Sequence, residues 1–138
     1  QSQGFRLLRT LVKVKGVHFA VGANEMTVDG ETVSTEQRAS YLDPDTHRTL
    51  ASARFVAESL GAEVKYDSEN KKIRIAKDDI EIVMAVGDTK IELNGSRAEY
   101  ELDQAVVIEE GRSYVPLRAV AELLGYDVNW FNGEVLIH

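Results

Sequence analysis

Histidine, serine and cysteine are the side chains that would most directly show a metal site or a nucleophile in this 138-residue chain. His18, His47 and His138 are scattered and lack the spacing of a metal-binding motif. No motif places a histidine near a serine, and the chain contains no cysteine. The sequence therefore predicts a non-catalytic protein without a cofactor.

Two aspartates in the stretch DPDTH, residues 43–47, are the remaining candidate for metal binding. The carboxylates of Asp43 and Asp45 could hold a calcium ion through their oxygen atoms. The alternative is a proline-led turn with Asp43 as the capping residue, which this composition favours. Calcium binding by these two aspartates stays open from the sequence.

Arginine and glutamate stand four residues apart at two places, Arg54 with Glu58 and Arg118 with Glu122. At this spacing the two side chains share one face of a helix. One hypothesis makes each pair a ligand clamp. The other makes it an intrahelical ion pair with the arginine stem covering apolar surface, and the presence of both pairs favours this second one.

Four aromatic residues, Tyr66, Tyr126, Trp130 and Phe131, could form a platform for a sugar. Aromatic side chains at strand spacing are more often part of the core, as expected for Trp130 beside Val128. Tyr126 and Phe131 are out of phase with these two residues. We therefore predict Tyr126 and Phe131 as an exposed, possible ligand surface.

The elements that would position these side chains occur twice. LASARFVAESLGAEVKY at residues 50–66 is repeated as YVPLRAVAELLGYDVNW at residues 114–130. This similarity predicts two tandem repeats of about 64 residues, at 16–78 and 79–138, after an N-terminal arm at 1–15. We call residues 16–78 the first half and residues 79–138 the second half.

Each half is predicted to be α+β, a small antiparallel sheet packed on one helix. The second helix should begin at Pro116 and end before Gly125, and Gly61 should mark the end of the first. The predicted buried stripes are Leu117, Val120, Ala121 and Leu124 in one helix and Ala53, Val56, Ala57 and Leu60 in the other. Asn94-Gly95 and Asn132-Gly133 predict tight hairpins.

The second half resembles the copper amine oxidase N-terminal domain family, also called the stalk domain. Its matching residues are Asn94, Gly95, Gly111, Arg112, Val115, Pro116, Leu117, Arg118, Glu122, Leu124, Gly125, Val128 and Trp130. The first half is degenerate: it keeps Gly30, Arg48, Arg54, Glu58, Leu60, Gly61 and Val64 but has Ala51-Ser52-Ala53 for Val-Pro-Leu and His47 for the turn glycine.

This resemblance implies a sheet wrapped on a helix, usually in tandem, on exported or surface proteins of Gram-positive-type bacteria. It implies neither copper binding nor oxidation, because the stalk lies apart from the catalytic domain of those oxidases. The structural motif residues that it predicts are Arg54, Glu58, Gly61, Pro116, Arg118, Glu122, Gly125 and Trp130.

The charge of the chain excludes one class of partner, and its sign differs between the N-terminal residues and the rest of the chain. A net charge of −7 argues against nucleic-acid binding, and no apolar run reaches the roughly 18 to 20 residues of a membrane span. Residues 1–24 have four cations and no acid, so residues 25–138 carry −7 − 4 = −11. The chain begins with Gln rather than Met, from which we expect a removed leader and a secreted or cell-surface location.

The apolar, basic arm suggests assembly. Such a segment could be an extra edge strand of its own domain, or it could add to the sheet of a neighbouring subunit. The predicted assembly interface is Phe5, Leu7, Leu8, Leu11, Val12 and Val14. The sequence thus predicts a structural surface subunit that polymerises by strand donation, with a binding module for cell-wall glycan or another envelope polymer as the alternative.

Overall fold

The computed structural model describes residues 15–138, which form fourteen strands and two helices. All of the strands pair antiparallel, which confirms the α+β class. The first half contains β1 (Val17–Ala20), β2 (Glu25–Val28), β3 (Glu31–Ser34), β4 (Ser40–Leu42), β5 (Thr49–Ser52), α1 (Ala53–Leu60), β6 (Glu63–Asp67) and β7 (Lys72–Lys77). The second half contains β8 (Ile80–Ala85), β9 (Lys90–Leu93), β10 (Ser96–Glu101), β11 (Val107–Glu109), β12 (Arg112–Pro116), α2 (Leu117–Leu123), β13 (Val128–Phe131) and β14 (Glu134–Ile137).

Each half has five strands, a helix and two strands, but the sheets do not respect the division between the halves. One sheet has the order β13-β14-β1-β2-β3 and another has the order β10-β9-β8-β7-β6. Each of them therefore combines three strands of one half with two strands of the other. This mixing of strands is partly local in origin, because the two-residue turn between β7 and β8 pairs these consecutive strands across the boundary between the halves. The tandem repeat and its domain boundaries stay predictions.

A four-stranded sheet of order β11-β12-β5-β4 joins the two halves. Its central strands pair through Ser52 with Tyr114 and through Leu50 with Pro116. Each central strand runs directly into a helix, β5 into α1 and β12 into α2. Because the strands are antiparallel, the chain enters the two helices from opposite ends of this sheet.

The buried residues of α2 match the predicted stripe, whereas those of α1 differ from it in part. In α2, Leu117, Val120 and Ala121 are fully buried, as predicted. In α1, the buried residues are Phe55, Val56, Ser59 and Leu60, whereas Ala53 and Ala57 are only half-buried. The stripe is rotated because the large Phe55 ring packs edge-on against Phe19 of β1, with 4.8 Å between ring centroids.

The predicted turns are present. Asn94 and Gly95 both have positive φ, 51° and 85°, and so do Asn132 and Gly133, at 49° and 78°, as the tight hairpins require. Helix α2 begins at Leu117, one residue later than predicted, because Pro116 is the last residue of β12.

The predicted arm lies almost entirely outside the described residues. Its interface residues Phe5, Leu7, Leu8, Leu11, Val12 and Val14 all precede residue 15. Among residues 15–138, no helix is long and apolar enough to cross a membrane.

Candidate functional site

A pocket of about 340 Å³ lies between α2, the loop before β5 and the loop after β10. This volume is at the lower end of the range for small-molecule sites in proteins. The pocket is lined by His47, Arg48, Thr49, Tyr100, Asp103, Pro116, Arg118, Ala119, Glu122 and Trp130. Side chains from both halves therefore contribute to one cavity, which we call the interhalf pocket.

The loop before β5 is shaped by an aspartate turn. Oδ1 of Asp43 accepts hydrogen bonds from the backbone N–H groups of Asp45, at 2.8 Å, and Thr46, at 3.2 Å. His47 follows in the left-handed region at φ 60°, where a glycine would be unstrained. The Asp43 carboxylate thus acts as the turn cap that the sequence favoured, and the turn places His47 and Arg48 in the interhalf pocket.

Two contacts hold this loop to the second half. Nη2 of Arg48 lies 2.9 Å from Oδ2 of Asp103, and the hydroxyl of Thr46 donates to Oε1 of Gln104 at 2.5 Å. The side chains of Arg48 and Asp103 are both more than half exposed, so this ion pair forms part of the rim. Such an exposed pair adds little stability, and its charged groups remain available to a ligand.

Two aromatic side chains are exposed at the interhalf pocket. Trp130 of β13 is 41% exposed and Tyr100 of β10 is 46% exposed. Burial raises the pKa of the Tyr100 hydroxyl, and the negative charges of Asp103 and Glu122 raise it further. Tyr100 therefore keeps its proton and can donate a hydrogen bond at neutral pH.

The core position expected for Trp130 is wrong. Val128 is buried, as predicted, but β13 is an edge strand, and the Trp130 side chain lines the interhalf pocket. The ligand surface predicted at Tyr126 and Phe131 does not line this pocket. Tyr126 packs against the core and its hydroxyl donates to the Leu60 carbonyl at 3.4 Å, while Phe131 is 51% exposed on the opposite face of β13.

The two Arg–Glu pairs behave differently. In α1, Nε of Arg54 lies 3.3 Å from Oε2 of Glu58, as an intrahelical pair should. In α2, Nη2 of Arg118 instead donates to the carbonyl oxygen of Val128 at 3.3 Å. Arg118 and Glu122 both line the interhalf pocket without forming an ion pair with each other. Arg118 and Glu122 are therefore available to a ligand, whereas Arg54 and Glu58 are paired with each other.

At the corresponding positions before α1, the protein's own side chains contact one another. The Ser52 hydroxyl caps α1 by accepting from the Phe55 N–H at 3.1 Å, and it donates to the carboxylate of Glu36. Arg112, which aligns with Arg48, lies 3.7 Å from Glu36 and donates to the Gln37 carbonyl. The two halves therefore differ in the contacts made at these aligned positions.

Thr49 contributes to the wall of the interhalf pocket. Its side chain lines the cavity, the residue is only 6% exposed, and its hydroxyl has no hydrogen-bond partner among the described residues. Together the lining supplies two aromatic rings, donors on two arginines and acceptors on two carboxylates. No group of three or more histidine or acidic residues in the range 15–138 is arranged to hold a metal ion.

The sequence offered Arg118 and Glu122 as a ligand clamp but favoured an intrahelical ion pair for them, and it gave no indication of Tyr100 or Asp103. The sequence did mark the loop before β5, because His47 stands where the family pattern has the turn glycine. Tyr100 lies in β10 and Asp103 in the loop after it, and the repeat alignment does not cover this stretch, so no local pattern marked them.

These features define a small α+β domain with two helices covering three antiparallel sheets. The chain belongs to the copper amine oxidase N-terminal domain family, whose model matches residues 27–138. This confirms the family predicted from the residues around Pro116, and the domain is the non-catalytic stalk domain of that family. No curated protein matches the chain.

Proposed function

We propose that this chain is a non-catalytic module that binds a hydroxyl-rich polymer of the cell envelope, a glycan, through the interhalf pocket. The observation behind the proposal is the pair of exposed aromatic residues, Trp130 and Tyr100, in one cavity with charged donors and acceptors. A secreted or surface location on a Gram-positive-type bacterium belongs to the same proposal.

The chemistry of a sugar ring matches this lining. A pyranose has apolar C–H faces that pack on aromatic rings, and its hydroxyls both donate and accept hydrogen bonds. Arginine supplies donors only, whereas ionised aspartate and glutamate supply acceptors only. A cavity with both kinds of group, on Arg118 and Glu122, suits a ligand whose hydroxyls use both at once.

The test compares two exposed aromatic residues. Trp130→Ala removes the ring in the interhalf pocket, and Tyr66→Ala removes its counterpart on β6, which is 45% exposed and outside this pocket. Affinity electrophoresis through gels containing cell-wall polysaccharides measures retardation. We expect Trp130→Ala to weaken binding by about 30-fold, or about 2 kcal/mol, as for an interface hot spot.

The control fixes the interpretation of that result. Tyr66→Ala should bind as the unaltered chain does, because Tyr66 does not line the pocket and its strand β6 is at the opposite edge of the sheet from β10, which carries Tyr100. Equal losses of binding in both variants would contradict the proposal. It would also be contradicted if none of the polysaccharides retarded the unaltered chain.

Strand donation is the second candidate. Its support in the described residues is β3, an edge strand whose four residues are all exposed, including Val33 at 40%. An edge strand leaves main-chain groups unpaired, which is the template that an added strand needs. Residues 1–24 carry +4 and residues 25–138 carry −11, so the charges favour contact between the arm and another copy.

Head-to-tail donation that does not close would produce a filament. The test compares the full chain with a form lacking residues 1–15 by light scattering and negative-stain electron microscopy. Filaments from the full chain alone would support donation, and monodisperse monomers from both forms would exclude it.

A further inference from the structure

The formal charges of the interhalf pocket cancel. Arg48 and Arg118 oppose Asp103 and Glu122, and Arg48 and Asp103 lie 2.9 Å apart. We infer that the pocket selects an uncharged pyranose and rejects both uronic acids and amino sugars. This inference rests on the proposed function, because it names the class of sugar that the same pocket accepts.

An added charge of either sign meets two like charges and two opposite charges in this cavity. A uronate carboxylate is attracted by the two arginines and repelled by Asp103 and Glu122, and an ammonium group meets the reverse, so neither gains enough attraction to offset the loss of its hydration. Like charges placed together in a binding site are costly, and this cost excludes wrong ligands more than it strengthens right ones. A neutral hydroxyl can instead bridge a guanidinium and a carboxylate, donating to one oxygen and accepting from one N–H.

The buried part of the lining also suits a neutral group. The Thr49 hydroxyl is a donor and an acceptor, and it has no partner among the described residues. Beside it the cavity is lined by Pro116 and Ala119, which carry no charge. The hydroxyl oxygen itself is covered by neighbouring atoms, so the surface that a ligand meets here is the uncharged surface of Thr49, Pro116 and Ala119.

The charge of the rest of the chain acts in the same direction against anionic polymers. Residues 25–138 carry −11, so a polymer of uronic acids is repelled along its length beyond the interhalf pocket. A neutral polymer is not repelled by this charge, so there is no repulsion for salt to screen. Its affinity should therefore be insensitive to salt, unlike that of a charged polymer.

The experiment uses three β-1,4-linked glucose tetramers with one backbone: the neutral sugar, its C6-oxidised form and its 2-amino form. Isothermal titration calorimetry of the full chain measures each at low salt and at 0.5 M salt. We expect both charged forms to bind at least about tenfold more weakly than the neutral one at low salt. We also expect salt to leave the neutral affinity unchanged.

A charge-neutral variant locates the cause. Glu122→Gln removes one carboxylate of the interhalf pocket and should reduce the discrimination against the C6-oxidised tetramer severalfold. Glu58→Gln is the matched control, since Glu58 pairs with Arg54 on α1, and it should leave the discrimination unchanged.

The outcomes separate the two proposals. Equal or tighter binding of a charged tetramer overturns the inference while leaving glycan binding in place. Binding of none of the three overturns both the inference and the proposed function. Tighter binding of the neutral tetramer, with discrimination reduced by Glu122→Gln alone, supports both.

Discussion

Removing two methyl groups from either helix tests whether the two halves unfold together. Val56 of α1 and Val120 of α2 are both fully buried. Replacing either valine with alanine removes about 1.6 kcal/mol of burial at about 0.8 kcal/mol per carbon, and the cavity left behind raises the cost to about 2 kcal/mol. With a urea dependence of about 2 kcal/mol per molar, the unfolding midpoint should fall by about 1 M.

Two signals make this a test of topology. Trp130 is the only tryptophan and lies in the second half, so its fluorescence reports on β13, while far-UV circular dichroism reports on the whole chain. The sheets combine strands of both halves, with β1 paired to β14 and β7 paired to β8. We therefore expect Val56→Ala to shift both signals by the same amount, although Val56 is in the first half.

Val120→Ala is the matched control and should give the same shift in both signals. The account of the fold is refuted if Val56→Ala lowers the circular dichroism midpoint but leaves the Trp130 transition in place. That result would mean that the halves unfold separately, which the cross-half strand pairs do not allow.

Three further changes test local features. Burial raises the pKa of Tyr41, and the neighbouring Glu109 carboxylate raises it further. The contribution of Tyr41 to stability is therefore complete below the unfolded pKa of about 10 and is lost as pH rises further. In thermal melts from pH 8 to 11, Tyr41→Phe should lose less stability with rising pH than the unaltered chain does. Ser52→Ala removes both the cap of α1 and the hydroxyl that donates to Glu36, so it should cost at least about 1 kcal/mol in urea unfolding, with Ser113→Ala, which caps no helix, as the control. Gly61→Ala places a side chain at φ 68° and should cost roughly 1 to 2 kcal/mol, whereas no loss would contradict the left-handed cap.

The local features of this fold could be predicted from the sequence. The Asn94-Gly95 hairpin and the glycine that ends each helix follow from φ values that few other residues adopt without strain, so short-range composition is enough. The buried face of α2 likewise follows from helical spacing alone. In α1 the same argument selected Val56 and Leu60 correctly but missed Phe55, because contact with Phe19 in another sheet determines where Phe55 lies.

The pairing of strands across the halves and the interhalf pocket could not be predicted in this way. Both depend on long-range contacts, such as that of Arg48 with Asp103, which no repeat or spacing encodes. Trp130 shows the limit most clearly, since its strand period matches the buried Val128 but its strand lies at a sheet edge. Where the two halves diverge in sequence, as at His47, the structure places a candidate binding residue.

Nuclear magnetic resonance titration of the full chain with the neutral glucose tetramer tests the central claim most directly. Glycan binding in the interhalf pocket predicts that the indole N–H of Trp130 and the side-chain N–H signals of Arg118 shift progressively with ligand, together with the amides of residues 47–49. Signals of Tyr66 and of β3 should stay in place. Shifts confined to the face that carries Phe131, or no shifts at millimolar tetramer, would contradict the account.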